Sequence, residues 1–169
     1  MNKDTITKEF TTIIEVNQGI IFKVSAMYCK DIVCREDLVQ EILLQLWRSF
    51  PSFDKSRNYS TWMYRIALNT AISQWRKDKT RKEDSMDKLP VAVTDDDCNN
   101  EKSERVRILN MAINRLNKAE KSIIILYMDD YPYDEISEIT GISVSNVGVK
   151  INRIKKKLQH HLKELGYGL

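Results

Sequence analysis

The sequence predicts an all-α protein of two small helical domains joined by a flexible linker, the C-terminal one a helix-turn-helix. Three observations carry that expectation. Apolar residues recur at helical spacing along most of the chain, and no stretch of useful length alternates as a strand does. The segment Lys79 to Ser103 is polar, holds Pro90 and the acidic run Asp95 to Asp97, and interrupts the periodicity. Near the C-terminus, Tyr133 to Leu158 reads YDEISEITGISVSNVGVKINRIKKKL, two helices about a tight turn. The first domain is therefore expected over residues 1–79, the linker over 80–103 and the second domain over 104–169.

Composition sets the bounds. At 169 residues, 42% of them hydrophobic, the chain can build one medium core or two small ones. A net charge of +3 does not by itself announce a nucleic-acid partner. The distribution says more, because Lys150 to Lys163 holds six Lys/Arg and no acid, a patch that attracts phosphate. Cys29, Cys34 and Cys98 lack CxxC spacing and a nearby histidine, so neither a disulfide framework nor a zinc site is expected. His160 and His161 are adjacent and expected at the solvent rather than on a metal. The N-terminal MNKDTITKEFTTIIEV has charges where a signal peptide needs an apolar core. No apolar run approaches the roughly 18 residues that cross a bilayer. These features point to a reducing, cytoplasmic setting without membrane insertion.

Taken in order, Thr7 to Asn17 and Gln18 to Tyr28 read as two helices, the first with Phe10, Ile13 and Ile14 inward, the second with Ile20, Val24 and Met27. A third runs from about Arg35 to Phe50, with Leu38, Val39, Ile42, Leu43 and Leu46 as a broad apolar face, and Pro51 ends it. After a loop rich in turn residues, Thr61 to Lys79 is a helix with Trp62, Ile66 and Ala67 inward. Tyr59, Trp62, Tyr64, Arg65, Asn69, Trp75 and Arg76 interleave aromatic and cationic groups. Aromatic faces stack on unpaired bases while Arg and Lys hold phosphates.

Beyond the linker, Glu104 to Leu116 carries Leu109, Ala112, Ile113 and Leu116 on one face. Asn117 and Glu120 have capping-box spacing for a helix from Lys118 to about Asp129, whose Ile123 to Leu126 run belongs in a core. In the final pair, Ile136 and Ile139 are the apolar positions of the first helix, Gly141 is its stop and Ser143 offers an N-cap hydroxyl. Val147, Ile151, Ile154 and Leu158 form the buried stripe of the second helix. Ser145, Asn146, Val149, Lys150, Asn152, Arg153 and Lys156 face outward as a polar, cationic surface for duplex DNA.

With both halves read, the chain resembles a bacterial sigma factor of the extracytoplasmic-function group along almost its whole length. EDLVQEILLQLWRSFPSFD, Glu36 to Asp54, looks like the region 2 helix that docks on RNA polymerase. STWMYRIALNTAISQWRK, Ser60 to Lys77, is similar to the promoter-melting segment, and Leu116 to Leu158 resembles region 4. The resemblance implies that Asp37, Gln40, Glu41, Leu44 and Trp47 grip core RNA polymerase. It implies that Asn58, Tyr59, Ser60, Trp62 and Asn69 form the surface for the −10 element of promoter DNA, with Arg65 and Arg76 on phosphates. Val149, Lys150, Asn152 and Arg153 lie where the family reads the −35 element. An anti-sigma factor as a partner is implied too; no cofactor, metal or catalytic residue is. At two positions the sequence departs from the family. Gly148 stands where a cationic residue is common, and Ser137 where alanine is usual.

Two rival functions suit parts of the sequence. A dimeric helix-turn-helix repressor or activator would explain the C-terminal domain but leave the aromatic-basic stretch without a role. A helical adaptor would use only the apolar helices of the first domain. No Gly-rich phosphate loop or catalytic constellation points to an enzyme.

Overall fold

The computed structural model describes residues 3–83 and 101–167, with side chains over 4–77 and 104–167. The described residues form seven α-helices and one 3₁₀ turn in two compact units, α1 to α3 with the turn in the first and the other four helices in the second. The described residues contain no strand, as the all-α expectation requires.

In the first unit, α1 (Lys3–Tyr28) is one continuous helix where two were expected. Asn17, placed at the expected break, instead donates from its side chain to the Ile13 carbonyl at 2.9 Å. Gly19 continues the helix, at a cost of about 0.5–1 kcal/mol relative to Ala. Continuity preserves the phase of the buried face. Phe10, Ile14, Asn17, Ile21, Val24 and Tyr28 follow at alternating spacings of four and three, and the last three are fully buried. Ile20 and Met27, expected inward, are therefore only half-buried.

Helix α2 (Ile32–Ser49) starts three residues before the expected Arg35, because Asp31 caps it, accepting from the Cys34 N–H at 2.8 Å. The tight α1–α2 connection also corrects the reading of the cysteines. Cys29 and Cys34, with Cα atoms 5.5 Å apart, form a disulfide. Their separation of five residues spans a helix end and a helix start, which the turn folds onto each other. Arg35 Nε adds a hydrogen bond to the Cys29 carbonyl at 3.1 Å.

Pro51 falls in a 3₁₀ turn, Phe50–Ser52, which carries Phe50 into the core. Helix α3 (Tyr59–Glu83) packs on both α1 and α2, so its buried face is wide: Met63, Tyr64, Ala67, Leu68 and Ala71. Tyr64, read as outward, is 2% exposed, while Trp62 and Ile66 are half-buried at the margin of that face. The expected linker falls mostly on residues 84–100, which lie outside the described residues.

In the second unit, α7 (Val144–Glu164) packs on α4 (Glu101–Asn114), α5 (Lys118–Met128) and α6 (Tyr133–Thr140). Ile108, Ala112, Ile113 and Leu116 face its core, with Leu109 only half-buried. The capping box is complete. Asn117 Oδ1 accepts from the Glu120 N–H at 2.9 Å, and Glu120 Oε2 accepts from the Asn117 N–H at 3.2 Å. Ile123, Ile124 and Leu126 are buried as expected. Buried Lys121 reaches Asn114 Oδ1 at 3.1 Å, satisfying a charge that would otherwise be costly. None of the described helices is long and apolar enough to cross a membrane.

The disulfide closes a short loop, and chain-entropy arguments give such a closure about 2 kcal/mol. Cys34→Ser, or a thiol reductant added to the full chain, is expected to lower the melting temperature of the first unit by roughly 5–15 °C. The check is a thermal melt followed by circular dichroism with and without reductant. A melt that neither treatment moves would mean that the bond contributes nothing to the fold.

Candidate nucleic-acid interface

The helix-turn-helix is assembled by local chemistry. Gly141 adopts φ 75°, a left-handed conformation that glycine enters without steric cost, and its N–H closes α6 on the Ser137 carbonyl at 2.9 Å. Ser137, at the position where the family has alanine, donates its hydroxyl to the Ile142 carbonyl at 2.6 Å and so pins the turn from inside. Ser143 has the extended backbone of an N-cap, but its hydroxyl makes no cap hydrogen bond and lies 3.3 Å from that of Ser145. The expected hydroxyl cap is thus absent, and the start of α7 rests on backbone geometry.

Helix α7 divides cleanly. Val147, Ile151, Ile154 and Leu158 are buried, and Ser145, Asn146, Val149, Lys150, Asn152, Arg153 and Lys156 are all exposed. The three consecutive lysines are not equivalent. Lys155 donates to the Tyr127 hydroxyl at 2.7 Å and lies over that ring at 4.1 Å, and Lys157 pairs with Glu120 at 2.5 Å. Lys156 has no such partner among the described residues. Sequence reasoning missed Tyr127 and Tyr133, whose rings lie 6.5 Å apart beside this helix. They belong to different helices, so no local spacing joins them to α7.

The first unit carries the other two sets. Along α2, Asp37, Gln40 and Leu44 are exposed, whereas Glu41 and Trp47 are half-buried. Glu41 accepts from Gln45 Nε2 at 2.7 Å, and Trp47 meets Phe10 edge-on at 5.0 Å. On α3, Trp62, Arg65, Asn69 and Arg76 follow at spacings of three, four and seven, which makes them one stripe. Trp62 is held by Phe53 at 4.6 Å and Phe50 at 6.1 Å, and Phe53 also contacts Tyr59 at 4.9 Å.

The loop leading into that stripe is set by two side-chain turns. Asp54 Oδ1 accepts from the Ser56 N–H at 3.0 Å and its hydroxyl at 2.8 Å. These bonds, the backbone one first, hold the Asp54 carboxyl below the usual carboxylate range. Its lowered pKa means that the turn's contribution is fully present above the ordinary aspartate range and is lost as pH falls through the folded value. Asn58 Oδ1 accepts from the Ser60 N–H and hydroxyl, each at 3.0 Å, so it serves as a cap for α3. Lys55 pairs with Glu9 at 2.6 Å and ties the loop to α1.

Between α2 and α3 lies an open groove of about 700 Å³ whose walls include Asp37, Glu41, Asn69, Gln74 and Lys77. Asn69, assigned to DNA, thus stands beside two carboxylates assigned to the polymerase. Gln74 Oε1 is buried there without a hydrogen-bond partner among the described residues. No group of three metal-ligating side chains occurs among the described residues.

Comparison with known proteins gives the class. Residues 13–81 match the Sigma-70 region 2 family and residues 107–158 match Sigma-70, region 4. The ECF RNA polymerase sigma factor SigW of Bacillus subtilis is 28% identical, covering 92% of this chain and 90% of its own. The ECF sigma factor RpoE of Cereibacter sphaeroides is 26% identical, over 75% of this chain and 71% of its own. Among solved structures, the sigma factor RpoE of Bartonella quintana, in complex with the anti-sigma factor NepR, matches with a TM-score of 0.80. That match is 24% identical and covers 92% of this chain and 98% of the other, a likeness of fold. The chain belongs to the sigma-70 family, in its extracytoplasmic-function group, and is a sigma factor acting in transcription initiation.

Because Asn58 caps α3, Asn58→Ala is expected to destabilise the first unit by about 1 kcal/mol, irrespective of any DNA. Urea unfolding followed by circular dichroism measures it. An unchanged midpoint would mean that the side chain is not needed as a cap.

Proposed function

We propose that the chain docks on core RNA polymerase through Asp37, Gln40, Glu41, Leu44 and Trp47 of α2. The promoter −10 element is taken by the loop and stripe formed by Asn58, Tyr59, Ser60, Trp62, Arg65, Asn69 and Arg76. The −35 element is read by the outward face of α7. The observation that carries this reading is the division of α7, where all seven residues assigned to DNA are exposed and the four apolar ones are buried. In the first unit, the single stripe of aromatic, amide and guanidinium groups on α3 suits an unpaired strand. Unstacking a base costs a few kcal/mol, which stacking and hydrogen bonds can offset.

On this reading residues 1–79 and 104–169 are the two functional domains, and the residues between connect them. The protein acts in the cytoplasm, where the polymerase is, and needs no catalytic group of its own. The Bartonella RpoE structure contains an anti-sigma factor, and that of CnrH contains the cytosolic domain of CnrY. An anti-sigma factor is therefore the further partner we propose.

Two experiments test the assignments. Leu44 is 41% exposed near the centre of the α2 set and, unlike Trp47, is not built into an aromatic contact. Leu44→Glu is expected to weaken binding to core polymerase tenfold or more with the melting temperature unchanged. Binding at wild-type strength would remove α2 as the docking helix. On α7, a bidentate contact from Asn to adenine or Arg to guanine is worth about 1–3 kcal/mol of discrimination, while a lysine on phosphate carries none. Asn152→Ala and Arg153→Ala should each relax preference at particular −35 positions. Lys156→Ala should weaken all duplexes alike and reduce the salt slope by about one. The measurement is holoenzyme binding to single-base promoter variants at several salt concentrations. Uniform losses for all three variants would refute sequence reading by this helix.

A further inference from the structure

The turn between α1 and α2 holds a pair of sulfurs that the proposed role in transcription does not use. Cys29 follows directly on α1, its N–H donating to the Ser25 carbonyl at 2.9 Å, and Cys34 is the third residue of α2. Their disulfide joins the end of one helix to the first turn of the next. Two hydrogen bonds brace the same turn. Arg35 Nε donates to the Cys29 carbonyl at 3.1 Å, and the Cys34 N–H donates to the Asp31 carboxylate at 2.8 Å. Neither involves a sulfur, so opening the disulfide leaves both in place. The two sulfurs then stay near each other, and re-forming the bond is an intramolecular step at high effective concentration.

The two cysteines differ in access. Cys29 is buried, whereas Cys34 is half-buried, so a small thiol or disulfide meets Cys34 first. In the cytoplasm the thiol pool reduces disulfides, and those that do form there are mostly transient, catalytic or redox-sensing. The turn also lies directly ahead of the residues proposed to dock on the polymerase. Asp37, the first of them, stands one turn beyond Cys34 on the same side of α2 and is exposed. Helix ends fray unless they are held, so the bridge fixes the turn from which that set is presented.

We propose that Cys29 and Cys34 are a reversible thiol–disulfide site, and that oxidation strengthens docking on core polymerase by fixing the first turn of α2. The inference rests on the proposed cytoplasmic setting and on α2 being the docking helix. The oxidant is a low-molecular-weight disulfide. The Cys34 thiolate attacks one of its sulfurs, forming a mixed disulfide and expelling one small thiolate. The Cys29 thiolate then attacks Cys34 Sγ, closing the protein bond and expelling the second. Two protein thiols lose two electrons and two protons, which the two small thiols carry away. Excess small thiol runs the same steps backward, entering at Cys34.

The full chain is equilibrated with glutathione and glutathione disulfide at a series of ratios, and free thiols are trapped by alkylation and located by peptide mass. Cys29 and Cys34 are expected to be alkylated together at the reducing end and protected together at the oxidising end. A pair that stays bonded in excess glutathione is a fixed bridge, and one that stays alkylated in excess glutathione disulfide never closes; either overturns the proposal. Wild type, Cys34→Ser and Leu44→Glu are then bound to core polymerase in the two end buffers, with Cys34→Ala replacing Cys34→Ser if the latter does not fold. Oxidised wild type is expected to bind about threefold or more tightly than reduced, because a preorganised surface loses less freedom on binding. Cys34→Ser is expected to bind like the reduced form in both buffers. A response that persists in Cys34→Ser comes from other thiols and overturns the coupling. Equal binding by wild type in both buffers, while Leu44→Glu loses binding, overturns the coupling and leaves the docking helix standing. If Leu44→Glu binds at wild-type strength, the coupling falls with the docking assignment, and the trapping alone decides the thiol–disulfide site.

Discussion

Six aromatic rings in the first unit touch in sequence: Trp47, Phe10, Phe50, Trp62, Phe53 and Tyr59. They come from α2, α1, the 3₁₀ turn, α3 and the loop, so this one line of contacts fixes every element of the unit against the others. Each such pair contributes about 0.5–1.5 kcal/mol beyond the area it buries. The line also begins and ends at surfaces assigned to partners. Trp47 lies at one end, on the helix proposed to dock on the polymerase, and Tyr59 and Trp62 at the other, on the stripe proposed for the −10 element. Both surfaces are thereby supported from behind by the same rings. A base that stacks on Trp62 meets an indole already held by Phe53, so little side-chain freedom remains to be lost on binding.

That support alters what a substitution reports. Trp47 contacts Phe10, and Phe10 contacts buried Phe50, so truncating Trp47 disturbs packing as well as any docking surface. Leu44 and Gln40 stand clear of the aromatic line and report on docking alone. Asn58 presents the same ambiguity on the DNA side, because its side chain holds the start of α3. A residue can lie where a family binds DNA and still be required first for the loop's own geometry.

The parts legible in the sequence were those fixed by short-range chemistry. The capping box at Asn117 and Glu120, the left-handed Gly141 and the four-residue stripe of α7 each depend on neighbours within a turn or two, and each formed as expected. The absent Ser143 cap is a local exception, and the other misreadings arose mostly where a distant partner decided. Breaking α1 at Gln18 reset its helical phase and put Ile20 and Met27 inward, whereas tertiary packing keeps one helix with Ile21, Val24 and Tyr28 inward. Tyr64 was counted with the aromatic and cationic groups suited to bases, whereas α3 packs on both α1 and α2 and buries it. The pairing of Cys29 with Cys34 required the turn geometry, which spacing alone did not supply. Of the contact residues, those on α7 could be placed on one face from periodicity. That Tyr133 lies beside Gly148 could not be read, since only the fold brings the two together.

Charge is the clearest case of a sequence count that structure reduces. Of the six cations between Lys150 and Lys163, Lys155 and Lys157 have partners, Tyr127 and Glu120, which leaves four (6 − 2) without one among the described residues. Counterion release scales with the phosphates neutralised, at about −0.9 in log–log slope for each. A helix credited with six phosphate contacts from composition therefore has the structural means for fewer, because Lys157 would have to leave Glu120 and Lys155 the Tyr127 ring. On the proposed −35 role, less of the affinity would then be non-specific and more of the recognition would fall to groups that reach base edges. An exposed valine at 149 and a glycine at 148, positions where a cationic residue would add affinity for any sequence, are consistent with that balance. The outward face of α7 is thus uncharged from Val144 to Val149 and cationic from Lys150 onward, so general attraction to phosphate begins only past its first turn and a half.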